Sequence, residues 1–192
     1  SAGGRSNIDS GTIHAIKTGF RLSPVKRDEQ VLKGLKIASN KYKADHLRYS
    51  GYGQRDSSLI IQYDLSVNDY AEEIDGKLYL NLNLLRMVPL DKSDWKKREV
   101  GISFDYKYSS EYELELEVPA GYTVASVPEP VSLSNQLYGM DVKYLIRDNK
   151  VVLNHRFWID TLLIPVDGLA DWNAYYEKLL AGYKTVVILK KK

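Results

Sequence analysis

Four glutamates, Glu111, Glu113, Glu115 and Glu117, alternate with Tyr112, Leu114, Leu116 and Val118. On an extended strand alternate residues share a face and stand about 7 Å apart. Two carboxylates on one face are the raw material of glycoside hydrolysis, one acting as acid and the other as base or nucleophile. Glu113 and Glu115 are the pair that would do it. The same pattern also serves a solvated strand face, with lysine and arginine on the neighbouring strand and like charges discouraging edge pairing with another chain. The solvated face is the preferred reading, and no catalytic residue is assigned.

Other chemistry-bearing residues fare no better. Asp69, Glu72, Glu73 and Asp75 form an acidic loop that could hold calcium, but they lack the glycine-punctuated ligand spacing of an EF-hand. His14, His46 and His155 are far apart in sequence, without HExxH or HxH spacing, so no metal ligand is assigned. His155 falls on an otherwise apolar strand face and reads as a hydrogen-bonded structural histidine. Gly51-Tyr52-Gly53 is a fragment of a glycine-rich loop with no phosphate-binding helix after it, and no GxSxG elbow is present. Trp95, Trp158 and Trp172 could build a sugar-stacking platform. Trp172 belongs to a helical stripe and reads as core, which leaves Trp95 and Trp158, with Tyr79, as the candidate binding aromatics. No cofactor is expected.

Composition narrows the field further. The chain has no cysteine, which removes disulfides, thiol catalysis and cysteine zinc sites together. A net charge of +2 over 27 basic and 25 acidic residues leaves no nucleic-acid footprint. Lys190-Lys191-Lys192 reads as a solvated basic tail. No apolar run reaches the roughly 20 residues of a membrane span. Fifteen tyrosines suit half-buried sheet faces. The opening SAGGRSNIDS, residues 1–10, is expected to be a disordered leader or the cut end of a longer protein.

The elements that must position these residues are mostly strands. From Glu99 to Tyr108 and again from Glu111 to Val118 apolar and polar residues alternate, and Ser109-Ser110 between them suggests an antiparallel hairpin. Strands are also expected over Gly11–Leu22, His46–Ser50, Ser58–Val67 (Leu59, Ile61, Tyr63, Leu65 and Val67 inward) and Lys77–Leu84, the last after an Asp75-Gly76 turn, with Tyr79, Asn81 and Asn83 outward. Tyr122–Val127 and Val131–Leu137 read as edge segments, because Pro128 and Pro130 cannot donate to a ladder. A second hairpin spans Asp141–Ile146 and Val151–Asp160.

Val31, Leu32, Leu35, Ala38 and Tyr42 recur at helical spacing behind a capping Asp28, with Gly34 costing about 1 kcal/mol relative to alanine. A second helix opens at Pro165 and Asp167, with Asp167 as its cap, and carries Leu169, Trp172, Tyr176, Leu179, Leu180 and Tyr183 to a stop at Gly182. Thr185–Leu189 reads as a strand buried on both faces. The expected fold is mainly β, antiparallel and sandwich-like, with one N-terminal and one C-terminal helix. An N-terminal β/α portion would cover 11–97 and a C-terminal sandwich 98–192, the two forming either separate units or one continuous domain.

The order YELELEVPAGYTVASVPEPVSL, then VKYLIRDNKVVLNHRFWI, a proline-led helix and VVILKK resembles the C-terminal β domain of bacterial secreted transglutaminase-like proteins, which have a papain-like core. DGKLYLNLNL, a loop and KREVGISFDYKY resemble the region just before that domain. In that family Cys, His and Asp of the middle domain do the catalytic work, so the cysteine-free chain inherits no site residue. The resemblance implies a non-catalytic accessory module, periplasmic or extracellular, that positions the catalytic domain of the same polypeptide or binds its protein or glycan target. The alternative is a stand-alone carbohydrate- or cell-wall-binding β-sandwich using exposed aromatics.

Overall fold

The computed structural model describes residues 2–10, 28–29, 42–51, 57–67, 70–84 and 98–192, with the backbone path alone at 2–10 and 42. In chain order the strands are β1 (Ala2–Ser10), β2 (Tyr42–Ser50), β3 (Leu59–Val67), β4 (Glu72–Ile74), β5 (Lys77–Leu80), β6 (Ile102–Ser103) and β7 (Tyr108–Glu117). They continue as β8 (Tyr122–Ser126), β9 (Val131–Ser134), β10 (Tyr138–Arg147), β11 (Lys150–Ile159), β12 (Leu163–Ile164) and β13 (Val187–Lys191), with helix α1 (Leu169–Gly182) between β12 and β13. The fold is mainly β and antiparallel, with a C-terminal helix. Of the N-terminal helix expected behind Asp28, only Asp28 and Glu29 are described, both helical; residues 30–41 lie outside the described residues, and Tyr42, expected on that helix, begins β2.

A seven-stranded sheet runs β2-β3-β1-β7-β11-β10-β9, a four-stranded sheet runs β4-β5-β13-β8, and β6 and β12 make a short ribbon. Residues 2–10, expected as a leader, form strand β1, paired along its length between β3 and β7. The large sheet thus takes strands from both sides of residue 97. The strand expected over 11–22 lies outside the described residues.

The hairpin expected at Ser109-Ser110 does not form. Tyr108–Glu117 is one strand, paired with β1 on one side and β11 on the other. The two-residue rhythm never breaks there, because Tyr108, Ser110 and Tyr112 share a face and Ser110 is buried opposite Phe157. A buried serine is a small side chain making room for a large one, and its polarity imitated a turn.

The second hairpin is as expected, with Asp148 at φ +52° in a two-residue turn. Its tip is clamped to the end of β7: Asn149 Nδ2 donates to the Val118 carbonyl at 2.8 Å, and Val118 N donates to the Asn149 carbonyl at 2.9 Å. Asp75-Gly76 turns β4 into β5 with both residues at positive φ, the geometry of a tight hairpin. Tyr122–Ser126 and Val131–Ser134 are edge strands, as the flanking prolines require.

One hydrophobic cluster joins Leu59, Ile61, Tyr63 and Leu65 of β3 with Tyr112, Leu114, Val151 and Leu153 of the large sheet and Val187 and Leu189 of the small one. Helix α1 covers the other end of the same large-sheet face, where Trp172, Tyr175 and Leu179 pack on Tyr138, Met140, Phe157 and Ile159. The cap of α1 differs from expectation: a 3-10 turn over Val166–Gly168 leads in, Gly168 is the N-cap, and no side chain bonds there. β13 differs too. It runs antiparallel to both neighbours, burying Val187 and Leu189 while Ile188 is half-exposed and Val186 exposed, so one face alone is covered.

Candidate binding surfaces

His155 sits on β11 where the helix-covered and sheet-covered parts of the core meet. Its ring stacks on Tyr112 at 4.9 Å and on Tyr183 at 5.8 Å, both 11° from parallel. It is 2% exposed, and among the described residues neither ring nitrogen has a hydrogen-bond partner. The expectation of a hydrogen-bonded histidine is therefore corrected: two aromatic faces hold it in place. Burial without a compensating charge pushes its pKa down to about 4, so the imidazole is neutral at physiological pH. A neutral ring walled by tyrosines is a core residue.

Beside it lies a polar seam that sequence reading missed. Strand β5 stops at Leu80, and Asn83, expected to face outward, is buried. Asn81 Nδ2 donates to the Tyr183 carbonyl at 2.7 Å, and Asn83 Nδ2 reaches the Gly182 carbonyl at 3.3 Å and Tyr144 Oη at 2.9 Å. These amides satisfy carbonyls at the C-terminal end of α1 that the helix itself leaves open. Tyr112, enclosed among other tyrosines, has its phenol pushed well above the ordinary range by burial. The signal was available in the Asn81/Asn83 pair, but the alternation of Leu78, Leu80, Leu82 and Leu84 pointed the asparagines the wrong way.

The opposite face of the large sheet is charged, as expected of the alternate glutamates. Glu111 pairs with Arg156 at 3.1 Å and Glu115 with Lys150 at 2.8 Å, each across the β7–β11 ladder. The bond to Glu115 raises the Lys150 ammonium above the usual lysine range. An open depression of about 420 Å³ lies on this face, and Glu111, Glu113, Asp141, Lys143, Asn154 and Arg156 line it. Asp141 accepts a hydrogen bond from Ser132 Oγ at 2.5 Å.

A different surface lies at the ribbon. Val100, Leu162, Leu163 and Val166 are 67%, 54%, 53% and 50% exposed. They occur on or beside the β6–β12 ribbon: Leu163 pairs with Ser103, Phe104 N donates to the Leu162 carbonyl, and Leu163 lies close to Gly101. Directly beneath, Ile102, Ile164 and Trp172 are buried. The salt bridge Lys107–Asp160, at 2.8 Å, supplies charge close by. The sequence signal was Thr161-Leu162-Leu163-Ile164, an apolar run between a strand and a helix start.

The three aromatics singled out from sequence are not brought together. Trp95 lies outside the described residues. Trp158 is half-buried on the charged face, its ring lying where a Cβ at Gly139 would come within 2.1 Å and with the Arg156 guanidinium 4.9 Å from its centroid. Tyr79 is half-buried on the small sheet, opposite Glu72 and Ile188.

Among the described residues no group of three or more His, Cys, Asp or Glu side chains could hold a metal ion. Of the acidic loop, Asp69 lies outside the described residues and Glu73 binds Lys191 at 3.0 Å. His14 is also outside them. His46 is exposed at φ +51° in a bulge of β2, with Nδ1 2.7 Å from Asp64. Gly51, at φ +76°, has the Ser58 carbonyl 2.0 Å from where a Cβ would stand, so its glycine is a backbone requirement and not a phosphate loop.

Comparison with known families matches residues 76–189 to a model described as a Domain of Unknown Function with a solved structure, DUF3858. No curated protein and no solved structure matches the chain. Among the described residues no helix is long and apolar enough to cross a membrane.

Proposed function

For this chain, which belongs to the DUF3858 family, we propose the role of a non-catalytic accessory module that docks on the catalytic core of a secreted transglutaminase- or protease-like protein. The observation that carries the docking is the apolar group at the β6–β12 ribbon. Burying a large aliphatic side chain contributes about 1.5–3 kcal/mol, so four exposed together favour contact with another apolar surface. The two larger sheets, which share one apolar cluster, are taken as a sandwich that holds this ribbon rigid. The transglutaminase link and a location in the cell envelope rest on the resemblance of residues 58–192 to that family.

The natural full-length reading frame provides the test. It is expected to encode a Cys-His-Asp core in the same polypeptide, and a frame without one removes the transglutaminase reading. The second reading, a carbohydrate-binding sandwich, is favoured by Trp158 lying on the same face as the polar depression. A sugar stacking on that indole would have to displace the Arg156 guanidinium. A glycan array without signal removes it.

A further inference from the structure

Glu113, Asn154 and Lys143 stand in one line across β7, β11 and β10, because Asn154 is the register partner of both the others. All three line the depression on the charged face. The line beside them, Glu111–Arg156–Asp141, is internally compensated: Arg156 holds Glu111, and Asp141 accepts from Ser132. The Glu113 line differs. Among the described residues no ion pair or hydrogen bond engages the side chains of Glu113, Asn154 or Lys143. Beyond Glu113 the register continues to Arg5 of β1.

A carboxylate and an ammonium therefore flank a primary amide within this polar row, two strands apart. Two strand spacings separate Glu113 from Lys143, about 10 Å between backbones. An extended chain spans about 3.5 Å per residue, so a dipeptide covers about 7 Å and leaves room for an ion contact at each end. We propose that this row binds short zwitterionic peptides of two residues. The peptide ammonium meets Glu113, the terminal carboxylate meets Lys143, and the peptide group between them meets Asn154, whose amide both donates and accepts. The order of charges fixes the direction of the bound peptide. This site is separate from the apolar ribbon, so the docking reading and this one fail independently.

The test is a nuclear magnetic resonance titration of the whole chain with L-alanyl-L-alanine, its N-acetyl derivative, its C-terminal amide, the doubly blocked peptide and free alanine. The expected result is a saturable movement of the Glu113, Asn154 and Lys143 amide signals with the free dipeptide. Exposed ion contacts are individually weak, so acetylation or amidation should each lower affinity about three- to fivefold. Glu113→Gln should abolish the effect of acetylation but keep that of amidation, and Lys143→Met should do the reverse. Both substitutions are on the sheet surface, and an otherwise unchanged spectrum shows that the variants are folded. No saturable shift, equal binding of the doubly blocked peptide, equal binding of free alanine, or an unaltered response in Glu113→Gln would each overturn the proposal.

Discussion

Lowering the pH should expose the cost of burying His155. The unfolded chain takes up the imidazole proton near pH 6.5 and the folded chain only near pH 4, so between those values the unfolded state binds more protons. Stability is therefore complete above about pH 6.5 and falls by about 1.4 kcal/mol per unit as the pH drops, levelling off near pH 4. The full loss is about 3 kcal/mol, a large share of the total stability of an ordinary domain. Carboxylates titrate over part of the same window, so the histidine has to be isolated by substitution. His155→Phe keeps a ring between Tyr112 and Tyr183 and removes both unpartnered nitrogens. Urea denaturation of the two proteins between pH 4 and 7.5, followed by circular dichroism, gives the difference directly. The variant should equal or exceed the parent at pH 7 and exceed it by about 3 kcal/mol more at pH 4. Parallel stability–pH curves would refute the reasoning, since they would mean that His155 titrates alike in both states.

Three other substitutions probe the frame around the candidate surfaces. Gly139→Val places side-chain carbon where the Trp158 ring lies, and should cost about 1–3 kcal/mol and shift the tryptophan fluorescence as the indole is displaced. Asn83→Leu removes the donor to Gly182 and Tyr144 and should cost about 1–3 kcal/mol, with the amides around Gly182–Thr185 exchanging faster. Glu115→Gln breaks an exposed pair with Lys150 and should leave the thermal midpoint within experimental scatter at 150 mM salt, a level chosen as about physiological.

Strands with a wet face could be read from the sequence, because alternation in Leu59–Val67, Glu111–Val118 and Val151–Ile159 depends on one covering layer alone. What failed was reading polarity as location. Ser109 and Ser110 looked like a turn but lie inside β7, and Asn83 looked like an exposed residue but closes a helix end. Ala2–Ser10 carries two glycines and little hydrophobicity, so nothing local announced a strand; its place follows from pairing with β3 and β7, a long-range property. The charged face was legible from the alternate glutamates, but the cross-strand row through Asn154 was not, since it requires the register of three strands. The apolar ribbon was hidden by its shortness, two residues per strand.

Amide hydrogen exchange at Val100–Phe104 and Leu162–Val166, compared between the chain alone and the natural full-length polypeptide, tests the docking claim most directly. Exchange there should slow by about tenfold or more in the full-length protein, the protection that about 1.4 kcal/mol of local stabilisation confers. Identical exchange in both would contradict the claim that this apolar ribbon is where the module meets its core.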